Sequence, residues 1–443
     1  MIKMKKHAFI FEMNSTSNKI DPVISRYYEV DGIITNSAEY DIVDPDVKMY
    51  PIEFLSETDS YIVIDDLQWA ADIRTSFDSI IRDFKVLGKD YNYASYEIRK
   101  INTNDLFEVC EKDRRRFETA FKNILRGRKF VLFWGNCQMH AIGDIVSDPL
   151  KSDFCENYVT CAIPKMWENE TEVLNRMIES GIFDHVDIFI SQEVSLENKF
   201  NECWATEKIY SLCKKAPKRI SVTNLYFMGY FPQLVDTKGS LNYLRNRVSA
   251  FHSFCDKNVV KAVLDGMDDS SILDMIGDEE FFSKDELRDN IILEIQDFEK
   301  REGSYDVRMS DFLLQNFDRS KLFSTKNHPL AVVMKEFARR ICLLLECGFE
   351  DNGSDDNVCL APMDDRERYP IYPSVFKLWG DNSDNVYNLR GLFQPNEMFF
   401  VDGIKIDEEH KEENGFIYIN TWLSFRDLMT VYIRMIRSAL TIT

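Results

Sequence analysis

The chain has 443 residues, 44% of them hydrophobic and 29% charged, an ordinary globular composition at a length that suits two or three domains of roughly 100–200 residues each. Its 54 basic and 75 acidic residues leave a net charge of −21, a surface that repels nucleic acid and anionic lipid at long range, so nucleic acid is not an expected partner. No stretch approaches the ~20 apolar residues of a membrane span. The apolar run after the basic N-terminus (Ala8 to Phe11) is too short for a signal peptide, and the expectation is a cytoplasmic protein.

Taken in chain order, His7–Phe11, Asp31–Thr35 and Ser60–Ile64 read as strands. Between Ala70 and Leu87, Ile73, Phe77, Ile80, Ile81 and Phe84 recur at helical spacing, and Gly88 stops the helix. Strands alternating with helices predict an α/β fold, here a small Rossmann-like domain over residues 1–102. The turn after its first strand, Glu12 to Ser17, holds no glycine. A dinucleotide fingerprint needs glycines there for backbone approach to the pyrophosphate, so NAD binding is not expected. Residues 103–128 read as a charged connecting helix, the densest positive run being Lys112 to Lys129.

A second parallel-sheet domain is predicted over 129–443. Its strands are 129–134, 157–163, 186–190 and 219–222, with helices over 173–178 and 207–213 between them. From about 240 to 317 the pattern turns helical and charged, a helical insertion that would favour transfer over hydrolysis if it closes as a lid. Another helix covers 330–348, and Trp422 to Leu440 reads as the closing helix. Ten cysteines occur without a CxxC pair, so no metal is expected.

Chemistry concentrates at Val131 to His140. A buried strand turns at Gly135 and enters a helix, which places Cys137 at or near the helix N-terminus. Backbone N–H groups there favour the thiolate and can hold a developing oxyanion. Three further segments bear polar side chains after strands or before a helix: Gln192 after 187–190, Asn224 after 219–222, and Lys326-Asn327-His328-Pro329. Strand C-termini of open α/β sheets share one edge, where ligands bind. Gln192 and Asn224 are thus candidate oxyanion donors, and His328 is the candidate base. His140, three residues after Cys137, is a rival base.

Gly135-Asn136-Cys137-Gln138, the 224–232 turn, Arg301-Glu302, Ser310-Asp311-Phe312, His328-Pro329 and Pro370-Ile371-Tyr372-Pro373-Ser374 together carry a resemblance. In order and spacing they resemble the WcbI-type polysaccharide-biosynthesis acetyltransferases, over about residues 129–380. That family is similar in fold to SGNH hydrolases, so the resemblance implies an SGNH-like domain with Gly135-Asn136-Cys137 at the nucleophile turn and His328 as the late histidine. Cysteine stands where those hydrolases have serine, which favours a thiol nucleophile or a thioester-using transferase. The resemblance further implies acetyl-CoA as donor and a capsular or exopolysaccharide sugar as acceptor. Coenzyme A is then expected against Gly135, Asn136 and Gln138, with Lys326 beside its phosphates. The first domain is loosely similar to Rossmann-like modules beside sugar-modifying enzymes, through Met49 to Leu55 and Ser60 to Ile64. Two alternatives stand beside O-acetyl transfer: an SGNH-like deacetylase using the same residues with water, and a non-catalytic polysaccharide-assembly protein.

Overall fold

The computed structural model describes residues 6–12, 28–35, 49–51, 62–65 and 100–101, and from 125 onward all but 126, 148–150, 162–163, 199, 237–253, 351–367, 380–385, 413–414 and 442–443. The helix read over 70–87, the turn after the first strand and nearly all of 103–128 lie outside the described residues. The chain is α/β and sorts into two compact units, Met1–Ser221 with Ala338–Asn352, and Val222–Phe337 with Gly353–Thr443.

The first unit contains two parallel sheets. Strands β1 (Lys6–Glu12), β2 (Tyr28–Thr35), β3 (Met49–Pro51) and β4 (Ile62–Asp65) lie in the order β3-β2-β1-β4. The order reverses at β1, as in a doubly wound sheet. The other sheet joins β5 (Lys100–Ile101), β6 (Lys129–Trp134), β7 (Tyr158–Cys161), β8 (Ile188–Ser191) and β9 (Lys218–Ser221) in the order β5-β7-β6-β8-β9. Phe130 to Trp134 and Ile188 to Ser191 are buried throughout. Such continuous apolar runs are what a parallel strand covered on both faces requires. Helix α1 (Cys137–Val146) follows β6, α2 (Thr171–Ser180) precedes β8, and α3 (Thr206–Ser211) precedes β9.

Residues 338–352 complete this unit from far along the chain. The Tyr158 hydroxyl donates to the Leu345 carbonyl at 3.1 Å, Gly348 N–H donates to Asp153 Oδ1 at 2.8 Å, and Glu350 N–H donates to the Lys151 carbonyl at 2.7 Å.

The second unit carries the predicted helical stretch as α4 (Lys257–Leu264), α5 (Asp269–Ile276), α6 (Lys284–Glu302) and α7 (Ser310–Asn316). Glu302, fully buried, accepts the Met309 and Ser310 N–H groups at 2.7 and 2.9 Å and so satisfies the start of α7. Asp256 caps α4 through Oδ1, with Asn258 and Val259 N–H at 2.9 and 3.1 Å. Its Oδ2 accepts the Tyr372 hydroxyl at 2.7 Å, and its N–H donates to the Tyr432 hydroxyl at 2.7 Å. Burial pushes the Asp256 carboxyl up to about 6, against the opposing pull of these donors.

The closing helix differs from expectation. Strands β12 (Val386–Phe393), β13 (Glu408–Lys411) and β14 (Ile417–Ser424) form an antiparallel sheet in the order β12-β14-β13, and helix Phe425–Thr441 starts only after it. Trp422 therefore lies on a strand. The alternation of Ile417 to Leu423 buries Ile419, Thr421 and Leu423, a period of two that outweighs helix propensity. Ser424 then caps the helix: its Oγ accepts Asp427 N–H at 3.1 Å and donates to Asp427 Oδ2 at 2.7 Å.

Candidate active site

Strand β6 stays apolar up to Trp134, and the chain turns at Gly135. A Cβ there would lie 2.5 Å from Gln192 Oε1 and 2.6 Å from Met139 Cγ, so only glycine permits the approach. Gln192 immediately follows β8, and its N–H donates to the Trp134 carbonyl at 2.9 Å. Its side chain then spans the turn. Oε1 accepts the Asn136 N–H at 3.0 Å, and Nε2 donates to Gln138 Oε1 at 2.9 Å. Asn136 is the N-cap of α1, with Oδ1 accepting Gln138 N–H at 2.9 Å and its carbonyl accepting Met139 N–H at 3.0 Å.

Support for this clasp comes from Thr206, whose Oγ1 donates to the Gln192 carbonyl at 2.8 Å and accepts Val194 N–H at 2.9 Å. The Trp134 and Trp204 rings stack at 5.8 Å beneath it. Four of the expected residues, Gly135, Asn136, Gln138 and Gln192, are thus brought together. Cys137 occupies the first position of a ten-residue helix and is half-buried. Backbone N–H groups in the first turn of a helix carry partial positive charge.

Sheet order explains why the turn sits here. From β6 the chain goes to β7 on one side, and β8 lies on the other. That reversal is the switch point of an open α/β sheet, beyond whose strand C-termini ligands bind.

The remaining expected residues, Asn224, Lys326 and His328, belong to the second unit. Asn224 is exposed, after Thr223 whose N–H donates to the Val307 carbonyl at 3.3 Å. His328 is buried in a short hairpin of β10 (Phe323–Thr325) and β11 (His328–Pro329), with Ser324 Oγ donating to its carbonyl at 3.1 Å. Lys326, at the tip of that hairpin, places Nζ 5.4 Å from the Tyr226 ring centroid. The hairpin tip is tied to the aromatic turn by Phe227 N–H, which donates to the Lys326 carbonyl at 2.7 Å.

Sequence reading passed over two partners here. Arg301 donates to the Tyr226 carbonyl at 3.0 Å, and its guanidinium lies 5.8 Å from the same ring. Two cations therefore gather at Tyr226. The available signal was Arg301 in the last turn of α6, three residues after Phe298, whose ring it also covers at 5.1 Å. Among the described residues no group of three His, Cys, Asp or Glu is placed to hold a metal ion, and no helix is long and apolar enough to cross a membrane.

These features define an α/β protein that presents a cysteine at the switch point of a parallel sheet. Residues 130–351 match the family described as the polysaccharide biosynthesis enzyme WcbI, and the chain belongs to that family. The resemblance read from Gly135 to Gln138 and the later motifs therefore holds. The chain is also similar to a solved structure of WcbI, a polysaccharide biosynthesis enzyme described as the native protein without a disulfide bond between coenzyme A and one of its cysteines. The two are 21% identical, the match covers 58% of this chain and 82% of the other, and the TM-score is 0.46. No curated protein matches the chain.

Proposed function

We propose that the protein transfers an acetyl group from acetyl-CoA to a hydroxyl of a capsular or exopolysaccharide precursor, with Cys137 as nucleophile. The observation that carries this reading is the clasped turn, which fixes Cys137 at a helix N-terminus on the sheet's switch point. In the first step Cys137 Sγ attacks the thioester carbonyl, coenzyme A leaves as its thiolate, and an acetyl-cysteine forms. In the second, His328 takes the proton of the sugar hydroxyl, whose oxygen attacks the acetyl carbonyl and releases the Cys137 thiolate.

We assign the oxyanion to the Cys137 N–H and to Asn224, a reading supported by the place of Cys137 in the first turn of α1, where backbone N–H groups carry partial positive charge. Gln192 directs an amide N–H at Gln138, and its proposed part changes from oxyanion donor to positioning residue. Gly135, Asn136 and Gln138 are proposed to shape the floor on which the pantetheine end lies. Lys326, joined by Arg301, is the proposed partner of the coenzyme A phosphates, supported by their convergence on Tyr226.

Incubation with labelled acetyl-CoA followed by intact-mass measurement tests this. A single acetyl adduct is expected, absent in Cys137→Ala and discharged by acceptor sugars. No adduct under any condition would end the nucleophile assignment. Discharge to water at an equal rate with and without sugars would make the protein a hydrolase. His328→Ala should abolish turnover with coenzyme A affinity changed by at most a few fold, while His140→Ala keeps substantial activity.

A further inference from the structure

The antiparallel sheet β12-β14-β13 lies wholly beyond residue 351, outside the stretch that matches the family. One of its faces is core, built from Tyr387, Leu389, Phe393, Ile419 and Leu423. Register settles what stands on the other. Trp422 lies opposite Asn388, Asn420 lies between Arg390 and Glu408, and Tyr418 lies between Leu392 and His410. Residues paired across an antiparallel ladder point to the same side.

The rows therefore alternate aromatic, planar polar, aromatic. Trp422 is 47% exposed, unusual for the largest side chain, and the Arg368 guanidinium lies over its ring 5.8 Å from the centroid. Tyr418 carries the His410 ring against it at 4.8 Å. Asn420, in the row between the aromatic ones, is held on both sides: buried Asn388, from the Trp422 row, donates Nδ2 to Asn420 Oδ1 at 2.8 Å, and Asn420 Nδ2 donates to Glu408 Oε2 at 3.0 Å. This bonded line crosses all three strands. Trp422 and Tyr418 are four residues apart on β14, roughly 13 Å at strand rise.

We propose that this face is a binding platform for a neutral oligosaccharide segment of the acceptor. The inference rests on the reading of the protein as acting on a polysaccharide. A pyranose ring presents polarised C–H groups on its faces and hydroxyls at its rim. The C–H groups suit the negative face of an indole or phenol, while vicinal hydroxyls suit the planar donors and acceptors of Asn, Glu and Arg. Aromatic rings at the two ends and a bonded amide–carboxylate line between them fit successive sugars of one chain. A protein partner is the weaker match, because interface cores are depleted in charge, whereas here Arg390 and Glu408 flank the centre. The mutual hydrogen bonds pre-order the polar row and lower the entropy cost of binding.

Calorimetry of the full chain with chitotetraose, cellotetraose and mannotetraose, in the absence of any acyl donor, tests the platform. At least one is expected to bind, with affinity falling tenfold or more in both Trp422→Ala and Glu408→Ala. Leu293→Ala, an exposed apolar position on α6, should stay within threefold. Glu408 is exposed on an edge strand, so its variant reports on binding even if Trp422→Ala fails to fold. No binding of any of the three, or binding undiminished by either variant, overturns the proposal. So does a concentration-dependent dimer in sedimentation velocity that Glu408→Ala disperses, which would make the face an interface between copies. With no acyl donor present, failure here is read separately from failure of Cys137 to acylate.

Discussion

A single glutamine ties the reactive turn together. Gln192 bridges the Asn136 N–H and the Gln138 side chain, and Gly135 leaves the space for its oxygen. Gln192→Ala strands two polar groups in a buried setting, at a cost of about 1–3 kcal/mol. The expected outcome is a lower denaturation midpoint and at least tenfold slower acetylation of Cys137, with coenzyme A affinity nearly unchanged. Stopped acylation kinetics beside equilibrium titration separate the two. Gly135→Ala should be worse, because its Cβ collides with both Gln192 and Met139, an overpacking worth about 1–3 kcal/mol before any bond is lost. The positions of Gly135, Asn136 and Cys137 were readable in the sequence, since a buried run followed by glycine and an N-capping asparagine has few outcomes. The part played by Gln192 was not. An amide after a strand looks alike whether it faces a ligand or a neighbouring turn, and only the pairing of β6 with β8 decides.

Among the elements, those with strong periodicity were legible: the buried strands β6 and β8, the charged helix α6, and the helix at 331–344. The antiparallel sheet at 386–424 was not, because Trp422 to Leu440 also shows apolar spacing that suits a helix. Its start is set by Ser424, whose hydroxyl caps Phe425–Thr441. Ser424→Ala should cost about 1 kcal/mol, as loss of an N-cap typically does, read as a lower urea midpoint with unchanged slope. Glu302 ties α6 to α7 in the same manner with two oxygens. In Glu302→Gln one N–H would meet an amide NH2 in place of an oxygen, so a loss of about 1–3 kcal/mol is expected from the same measurement.

At the scale of the whole molecule, Asp256 makes stability depend on pH with an unusual sign. Its folded carboxyl sits at about 6, above the usual range, so the folded state binds the extra proton. With respect to this group stability is greatest below about pH 4, falls as pH rises through 6, and is flat once the folded carboxyl is ionised. The span is about 3 kcal/mol on an order-of-magnitude basis. Asp256→Asn keeps an oxygen for the cap of α4 and should flatten that window in denaturation curves recorded from pH 4 to 7. Chain order has a different consequence. The first unit takes residues 338–352 from beyond the second unit's opening stretch, and Leu345, Gly348 and Glu350 bond to Tyr158, Asp153 and Lys151. On a ribosome, the sheet that carries Cys137 is therefore made early but finished late. A nascent chain halted before residue 338 has emerged lacks the strap that closes that unit, and protection of 129–221 from a protease should rise only once residue 352 is clear.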